Sequence, residues 1–578
     1  MNEPKPYAIE IRNLSFKYPL AEKQVLNNIN LSIQSGEYVV ISGPTGSGKT
    51  TLALCLNGII PHLMEGDLLG EVLVNGLKVA EHPVHEMTPL IGMVFQNPED
   101  QLFSLNVIDE VAFGVENMGY THPEIVDRVD RAIQQVHLTD RQHYSIFNLS
   151  GGQKQKVAIA SNLAIMPDIL VLDAPTADLD PISASEVVNT LVELRQQEPK
   201  RTFIIINSDI SDVVHLATRL IVLREGEIAL DGTPQELLQN HFSELVALGI
   251  RIPDHLRLMN WLVQQYPELG SFEIDENRVR ELLDQLLKAH KLNINEAIPQ
   301  PVKISAQPQT IISLKDVSFK FEKGPVILEK TNLDIQQGEW IAMIGENGTG
   351  KSTVMKLISG LLKPQSGKIE ITGITTLASK KAKTMQGVGY LFQNPDHQLF
   401  MSTVEEEISF SPGRQGYAPD EIKQRVDQAL HLMGLEAYRN KHPFTLSRGQ
   451  RQRLAVATVL AARPKLLLLD EPTTGQDQIA LENLMRLVRD LIREQGTTVI
   501  MVTHDMDLVA QYASRVIVLS KGRILLDGSP AEVFSSGQSV LGKVNLKLPG
   551  IVRLTSSLKY ASVAISTCDQ ALEWISVA

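Results

Sequence analysis

The feature that most limits what this chain can fold into is that it is written twice. Gly43-Pro44-Thr45-Gly46-Ser47-Gly48-Lys49-Thr50 recurs, about 300 residues on, as Gly345-Glu346-Asn347-Gly348-Thr349-Gly350-Lys351-Ser352. Phe95-Gln96-Asn97-Pro98 recurs as Phe392-Gln393-Asn394-Pro395, and Leu149-Ser150-Gly151-Gly152-Gln153 as Leu446-Ser447-Arg448-Gly449-Gln450. Leu172-Asp173-Ala174-Pro175-Thr176 recurs as Leu469-Asp470-Glu471-Pro472-Thr473. Order and spacing are kept, so a whole domain is duplicated. Ile252-Pro253 and its neighbours also return at Leu548-Pro549, which gives each copy a small C-terminal extension. The 578 residues exceed the ~250–300 at which one hydrophobic core stops growing.

Short apolar runs alternate with helical patterns in each copy. Tyr38–Ser42, Ile169–Leu172, Phe203–Ile206 and Leu220–Leu223 are matched by Trp340–Ile344, Leu466–Leu469, Thr498–Val502 and Val516–Leu519. Continuous apolar runs of this length suit strands buried on both faces of a mostly parallel sheet, so two tandem α/β nucleotide-binding domains are expected. Their expected bounds are 1–240 and 310–539, with extensions at 241–309 and 540–578. In the first extension, Arg278 to Leu292 reads as an amphipathic helix, and the Pro/Gln-rich stretch from Pro299 to Gln309 reads as a linker.

Composition excludes several classes. With 43% apolar and 21% charged residues, disorder is not expected to dominate, and a net charge of −13 argues against broad attachment to nucleic acid or anionic lipid. Two cysteines, Cys55 and Cys568, supply neither a disulfide framework nor a cysteine-ligated cluster. The segment from Met1 to Leu14 lacks a signal-peptide core, and no apolar run approaches the ~18–20 residues needed to cross a bilayer. Any membrane process is therefore expected to be served from the cytoplasm.

The pattern G-x-x-x-x-G-K-[ST] lets consecutive backbone N–H groups curl around a phosphate. The lysine reaches the β/γ-phosphates and the hydroxyl holds Mg²⁺ at a helix N-terminus. About 0.02 chance matches are expected in a chain this long. Each match here follows an apolar strand and precedes a helix, Thr51–Leu56 or Thr353–Leu361. Asp173 and Asp470, each ending an apolar strand, are the expected second ligand to the metal.

Leu149-Ser150-Gly151-Gly152-Gln153, lying between a P-loop and a strand-end aspartate, resembles the signature of ATP-binding-cassette (ABC) ATPases, and the resemblance covers nearly all of both halves. It implies ATP and Mg²⁺ as cofactors and two cassettes closing head-to-tail, each ATP held between one P-loop and the other cassette's signature. It makes Gly43 to Thr51 and Gly345 to Thr353 the phosphate-binding segments, and Ser150 to Gln153 with Ser447, Gly449 and Gln450 the signature contacts. Thr50, Gln96 and Asp173, and likewise Ser352, Gln393 and Asp470, become the metal-binding residues. Tyr18 and Phe321, each just after a first strand, become adenine-stacking aromatics.

The two sites are unequal. By the same resemblance Glu471 is the general base and His504 the γ-phosphate contact, with Lys351 and Gln393 completing that catalytic set. Their counterparts in the first copy are Ala174 and Ser208, and alanine cannot accept a proton. The second signature also carries Arg448 where a glycine is usual. Head-to-tail pairing gathers all three departures in the Lys49 site and leaves the Lys351 site complete. Independent drift has no reason to do that, so the Lys49 site is expected to bind ATP and hydrolyse it slowly. A general base contributes ~10²–10⁴ in rate.

The blocks running from Phe95 to Phe103 and from Phe392 to Phe400 are similar to those of energy-coupling factor (ECF) importer ATPases, including cobalt-type cassettes. The resemblance is to the fused double-ATPase subset, some of which serve thiamine-precursor uptake. It implies a transmembrane coupling subunit received at Asn97–Leu105 and Asn394–Ser402, with Leu102 and Leu399 as contact residues. It also implies a separate membrane subunit that captures a vitamin, vitamin precursor or metal ion, and a place at the cytoplasmic face of the cell membrane. The alternative is a twin-cassette ATPase acting on ribosomes or nucleic acid. The acidic charge and the absence of a basic insert speak against it, and no nucleic-acid partner is expected.

Overall fold

The computed structural model describes all residues except 1–6, 20, 22, 178, 295–308, 323, 372–373, 376–386, 474–477, 536–537, 545, 557–564 and 578. The expected linker at 299–309 lies outside them apart from Gln309. The chain divides into two units, Met1–Val279 and Arg280–Ala578.

In the first unit β1 (Ile9–Lys17), β2 (Leu26–Ile33) and β3 (Tyr38–Ser42) lead to α1 (Lys49–Leu56), then β4 (Asp67–Val74), β5 (Leu77–Lys78) and β6 (Ile91–Val94). Helices α2 (Val107–Asn117), α3 (His122–Gln135) and α4 (Gly151–Ile165) follow, then β7 (Ile169–Asp173), α5 (Pro181–Gln197), β8 (Thr202–Ile206), β9 (Arg219–Arg224) and β10 (Glu227–Gly232). An antiparallel sheet runs β2-β1-β4-β5. The larger sheet runs β10-β9-β3-β8-β7-β6 and is parallel apart from β10. Every residue of β3, β7 and β8 is buried, as their unbroken apolar sequences require of central strands. Ile9, Leu14 and Phe16 of β1 pack with Leu52 and Cys55 of α1 and Ile41 of β3. The P-loop helix is thus clamped between two sheets, and burial drives the fold.

The first extension supplies α6 (Asp254–Gln265), α7 (Glu276–Lys288) and β11 (Leu292–Ile294). The expected helix to Leu292 therefore stops early, and Leu292 opens a strand instead.

The second unit repeats the plan. It comprises β12 (Thr310–Lys320), β13 (Val326–Gln336), β14 (Trp340–Ile344), α8 (Lys351–Ile358), β15 (Ser366–Ile371), β16 (Ile374–Thr375) and β17 (Val388–Leu391). Helices α9 (Val404–Gln415), α10 (Pro419–Met433) and α11 (Arg448–Ala461) precede β18 (Leu466–Asp470), α12 (Gln478–Gln495), β19 (Thr498–Val502), α13 (Met506–Tyr512), β20 (Arg515–Ser520) and β21 (Arg523–Gly528). The sheets run β13-β12-β15-β16 and β21-β20-β14-β19-β18-β17. Helix α8 ends at Ile358, short of the expected Leu361, because Gly360 turns the chain at φ 75°. The last strand, β22 (Ile575–Val577), pairs antiparallel with β11, Leu292 opposite Val577.

Both large sheets place the P-loop and the strand-end aspartate at the C-terminal edge of parallel strands, where α/β folds put their ligand crevice. Among the described residues no helix is long and apolar enough to cross a membrane.

Candidate active site

The P-loops follow β3 and β14. A Cβ on Gly43 would lie 2.2 Å from Leu223 O, and one on Gly345 would lie 2.2 Å from Leu519 O, so only glycine lets these loops pass the neighbouring strand. Each loop curls over its own lysine. Lys49 Nζ donates to the carbonyls of Gly43 (2.7 Å) and Pro44 (2.9 Å), and Lys351 Nζ to those of Gly345 (2.8 Å) and Glu346 (2.9 Å).

The loop hydroxyls meet the strand-end aspartates. Thr50 Oγ1 donates to Asp173 Oδ2 at 2.8 Å, and Ser352 Oγ to Asp470 Oδ1 at 3.0 Å. Burial holds both aspartates above the usual carboxylate range, against the hydroxyl hydrogen bonds and nearby lysines that lower them. A hydroxyl beside a buried carboxylate is a hard-oxygen donor set that suits Mg²⁺.

Glu471 follows Asp470 at φ 50°, its N–H donating to Val502 O at 2.9 Å. Its Oε1 lies 3.2 Å from His504 Nε2, which also lies 3.1 Å from Asn347 Oδ1 of the P-loop. Two acceptors around Nε2 select the tautomer that carries its proton there. Burial raises the Glu471 carboxyl well above its ordinary value, while Lys351 lowers it. Ala174 keeps the same backbone, with φ 46° and its N–H on Ile206 O at 2.7 Å. A non-glycine residue in the left-handed region is strained, so the first copy retains the cost of the geometry without the carboxylate.

The signature segments open α4 and α11. Ser150 and Gln153 cap each other reciprocally, at 3.0 and 3.4 Å, and Ser447 and Gln450 do the same at 2.9 and 3.3 Å. A Cβ on Gly152 would lie 2.6 Å from Ser183 Cβ, so the second signature glycine is fixed by packing. The first, replaced by Arg448, is the position with more room: its Cβ would lie 3.2 Å from Leu179 Cδ2.

Tyr18 and Phe321 do follow their first strands. Tyr18 is half-buried with its hydroxyl 3.1 Å from Thr51 Oγ1, whereas Phe321 is an exposed ring set edge-on to Phe319. Gln96 is half-buried and Gln393 exposed. The glutamines that fasten their turns are Gln101 and Gln398, whose Oε1 atoms accept from Phe95 N (3.3 Å) and Phe392 N (3.4 Å).

Beyond the second turn the geometry corrects one expectation. Leu399 is only 4% exposed and belongs to the core, while the next residue, Phe400, is 61% exposed and its counterpart Phe103 is 63% exposed. The rings of Phe103 and Phe400 stand edge-on to Phe113 and Phe410. Two residues the sequence reading passed over hold these loops. Buried Glu110 accepts from the N–H groups of Phe103 (3.0 Å) and Ser104 (2.7 Å), and buried Glu407 from those of Phe400 (2.8 Å) and Met401 (2.7 Å). Arg451 on α11 then joins Asp396 (2.6 Å) to the Leu446 carbonyl (2.7 Å), and Lys154 on α4 pairs with Glu99. Each loop is thereby tied to its own signature helix.

Comparison with known proteins agrees with this anatomy. The ABC transporter family profile matches residues 26–177 and 328–474, one stretch in each unit. A provisionally named ABC transporter ATP-binding protein of Methanosarcina acetivorans is 40% identical over 96% of this chain and 91% of its own length. A Bacillus subtilis protein provisionally named HMP/thiamine import ATP-binding protein YkoD is 36% identical over 94% of this chain and 95% of its own. Among solved structures, cbiO1 of Clostridium perfringens, described as part of the ABC transporter complex cbiONQ, is 39% identical over 43% of this chain and 99% of its own, with a TM-score of 0.37. Kinship of this depth runs through both copies, and the chain belongs to the ABC transporter family as a two-cassette ATPase.

Proposed function

We propose that this chain is the ATP-hydrolysing motor of an ECF-type importer, working at the cytoplasmic face of the cell membrane. It would join a transmembrane coupling subunit and a separate substrate-capture subunit that takes a vitamin, vitamin precursor or metal ion. The observation that carries the reading is the pair of exposed phenylalanines, Phe103 and Phe400, each held on a loop by a buried glutamate and linked through an ion pair to a signature helix. Exposed aromatic anchors beside polar residues are what a partner's helix would bury. The HMP/thiamine import named for the Bacillus relative supports the substrate class.

In the mechanism we propose, the P-loop amides with Lys49 and Lys351 bind the phosphates of two ATP molecules, and the cassettes close on them. Thr50, Gln96 and Asp173 in one site, and Ser352, Gln393 and Asp470 in the other, would hold Mg²⁺, which when bound draws charge from the β- and γ-phosphates. At the Lys351 site Glu471 accepts the proton of the attacking water, and His504 steadies the γ-phosphate. Ala174 has no proton acceptor, so the Lys49 site holds ATP as a clamp. Any motion of the membrane partner then follows from its different affinity for the closed and open cassettes.

The test is co-purification with the membrane subunits. Phe103→Asp and Phe400→Asp should each lower their recovery several-fold while leaving ATP binding intact, because an aspartate in an apolar contact stays unpaired. Unchanged recovery from the double variant would refute the interface.

A further inference from the structure

The two strand-end aspartates are not held alike. In the first cassette, among the described residues, Asp173 accepts from the Thr50 hydroxyl alone, at 2.8 Å. In the second, Asp470 is gripped on both oxygens: Ser352 Oγ donates to Oδ1 at 3.0 Å and Tyr390 Oη donates to Oδ2 at 3.1 Å. Tyr390 lies on β17, next to β18 in the sheet and opposite Leu468, two residues before Asp470. Its ring packs on Phe392 with centroids 4.4 Å apart. The corresponding residue of the first cassette is Met93, on β6, whose sulfur takes the Asn57 amide at 2.8 Å and has no hydroxyl to offer.

We infer that Tyr390 is a positioning residue for the metal at the Lys351 site, orienting the Asp470 carboxylate so that this cassette binds Mg²⁺ with its nucleotide more readily than an aspartate held by one hydroxyl could. The inference rests on the assignment of Asp470 to the metal. A carboxylate has about four lone-pair sites. Two are taken by Ser352 and Tyr390, each on a different oxygen, so the side chain cannot rotate without losing one bond, and one site on each oxygen is left for the ion or its waters. Hydrogen bonds that orient a metal-binding carboxylate are commonly worth 10–100-fold in metal affinity. The Tyr390 hydroxyl falls on the side of the molecule that also keeps Glu471 and His504. Its absence from the first cassette is a fourth difference between the sites, beyond Ala174, Ser208 and Arg448.

The experiment uses the full chain carrying Lys49→Ala, so that a fluorescent ATP analogue, trinitrophenyl-ATP, reports on the Lys351 site. Its binding is titrated with Mg²⁺, and separately measured in EDTA, for the parent, for Tyr390→Phe and for Asp470→Asn. Phenylalanine keeps the ring on Phe392 and deletes only the hydroxyl. The expected result is a Mg²⁺ midpoint raised about tenfold in Tyr390→Phe and further in Asp470→Asn, with binding in EDTA unchanged in Tyr390→Phe. An unmoved midpoint in Tyr390→Phe, with Asp470→Asn shifted, overturns the inference and leaves the metal assignment standing. An unmoved midpoint in both variants overturns the assignment and the inference together. Affinity lost equally with Mg²⁺ and in EDTA makes Tyr390 a support for the nucleotide pocket and also overturns it.

Discussion

His504 Nε2 lies 3.2 Å from Glu471 Oε1, and the two residues stand just past the ends of β19 and β18, neighbouring strands in the same sheet. The pair is therefore assembled by strand order, with no contribution needed from the first cassette. If Glu471 is the base, Glu471→Gln should lower kcat by ~10²–10⁴ while ATP binding survives, because the amide keeps the shape and loses the proton acceptor. Lys49→Ala should leave the larger share of turnover. Steady-state phosphate release from both variants decides the matter. Substantial hydrolysis in Glu471→Gln would contradict the assignment.

Ala174 offers a separate test of how the first site came to be. Its φ of 46° costs an alanine roughly 1 kcal/mol that glycine does not pay. Ala174→Gly should therefore be neutral or raise the stability of the first cassette by up to ~1 kcal/mol, where a glycine elsewhere in regular structure would lower it. Thermal unfolding followed with and without ATP reads this, and a clear loss of stability would show that the methyl is needed for packing.

Much of this was legible in the sequence. The central strands announced themselves as unbroken apolar runs, and the Thr50–Asp173 and Ser352–Asp470 contacts followed from motifs that fix residue type and order. What was hidden depended on distant partners or on facing. Tyr390 reads as one more apolar residue in a strand, because its hydroxyl partner lies 80 positions away. Leu292 continues a helical period and joins a strand only because Ile575–Val577 comes to meet it. Leu399 and Phe400 are adjacent, and apolar pattern alone cannot say which of them faces in. Glu110 and Glu407 look like ordinary helical glutamates, since the amides they serve precede them by six or seven residues.

Those two glutamates carry a stability prediction. Each is a buried carboxylate whose one oxygen takes two backbone N–H groups, so removing it leaves two part-buried donors without that acceptor. Glu110→Ala and Glu407→Ala should each cost ~2–4 kcal/mol and free the loop that carries Phe103 or Phe400, whereas the glutamine variants, which keep an acceptor, should cost about half as much. Denaturant unfolding gives the energies, and limited proteolysis reports whether the cuts fall at the loop. Equal losses for alanine and glutamine would mean that charge, not the acceptor, holds the loop.

The Glu471 carboxyl also sets a pH dependence whose sign is fixed by its surroundings. Burial raises it, with the Asp470 and Asp505 charges acting in the same direction and Lys351 and a backbone hydrogen bond at His504 acting against. Where the folded protein binds its proton more tightly than the unfolded chain, stability is full below the ordinary carboxylate range and is lost as pH rises toward the raised value, by up to ~1.4 kcal/mol per pH unit. A glutamine at this position has no proton to lose. The melting temperature of Glu471→Gln in EDTA should therefore exceed that of the parent by a margin that widens from about pH 5 to about pH 8 and then levels off. Supplying Mg²⁺ without nucleotide should narrow the margin, because added positive charge beside Asp470 favours the ionised carboxylates. A margin that is constant with pH would show that Glu471 is ionised in the folded protein at no cost, and its burial would then have no bearing on its readiness to take a proton.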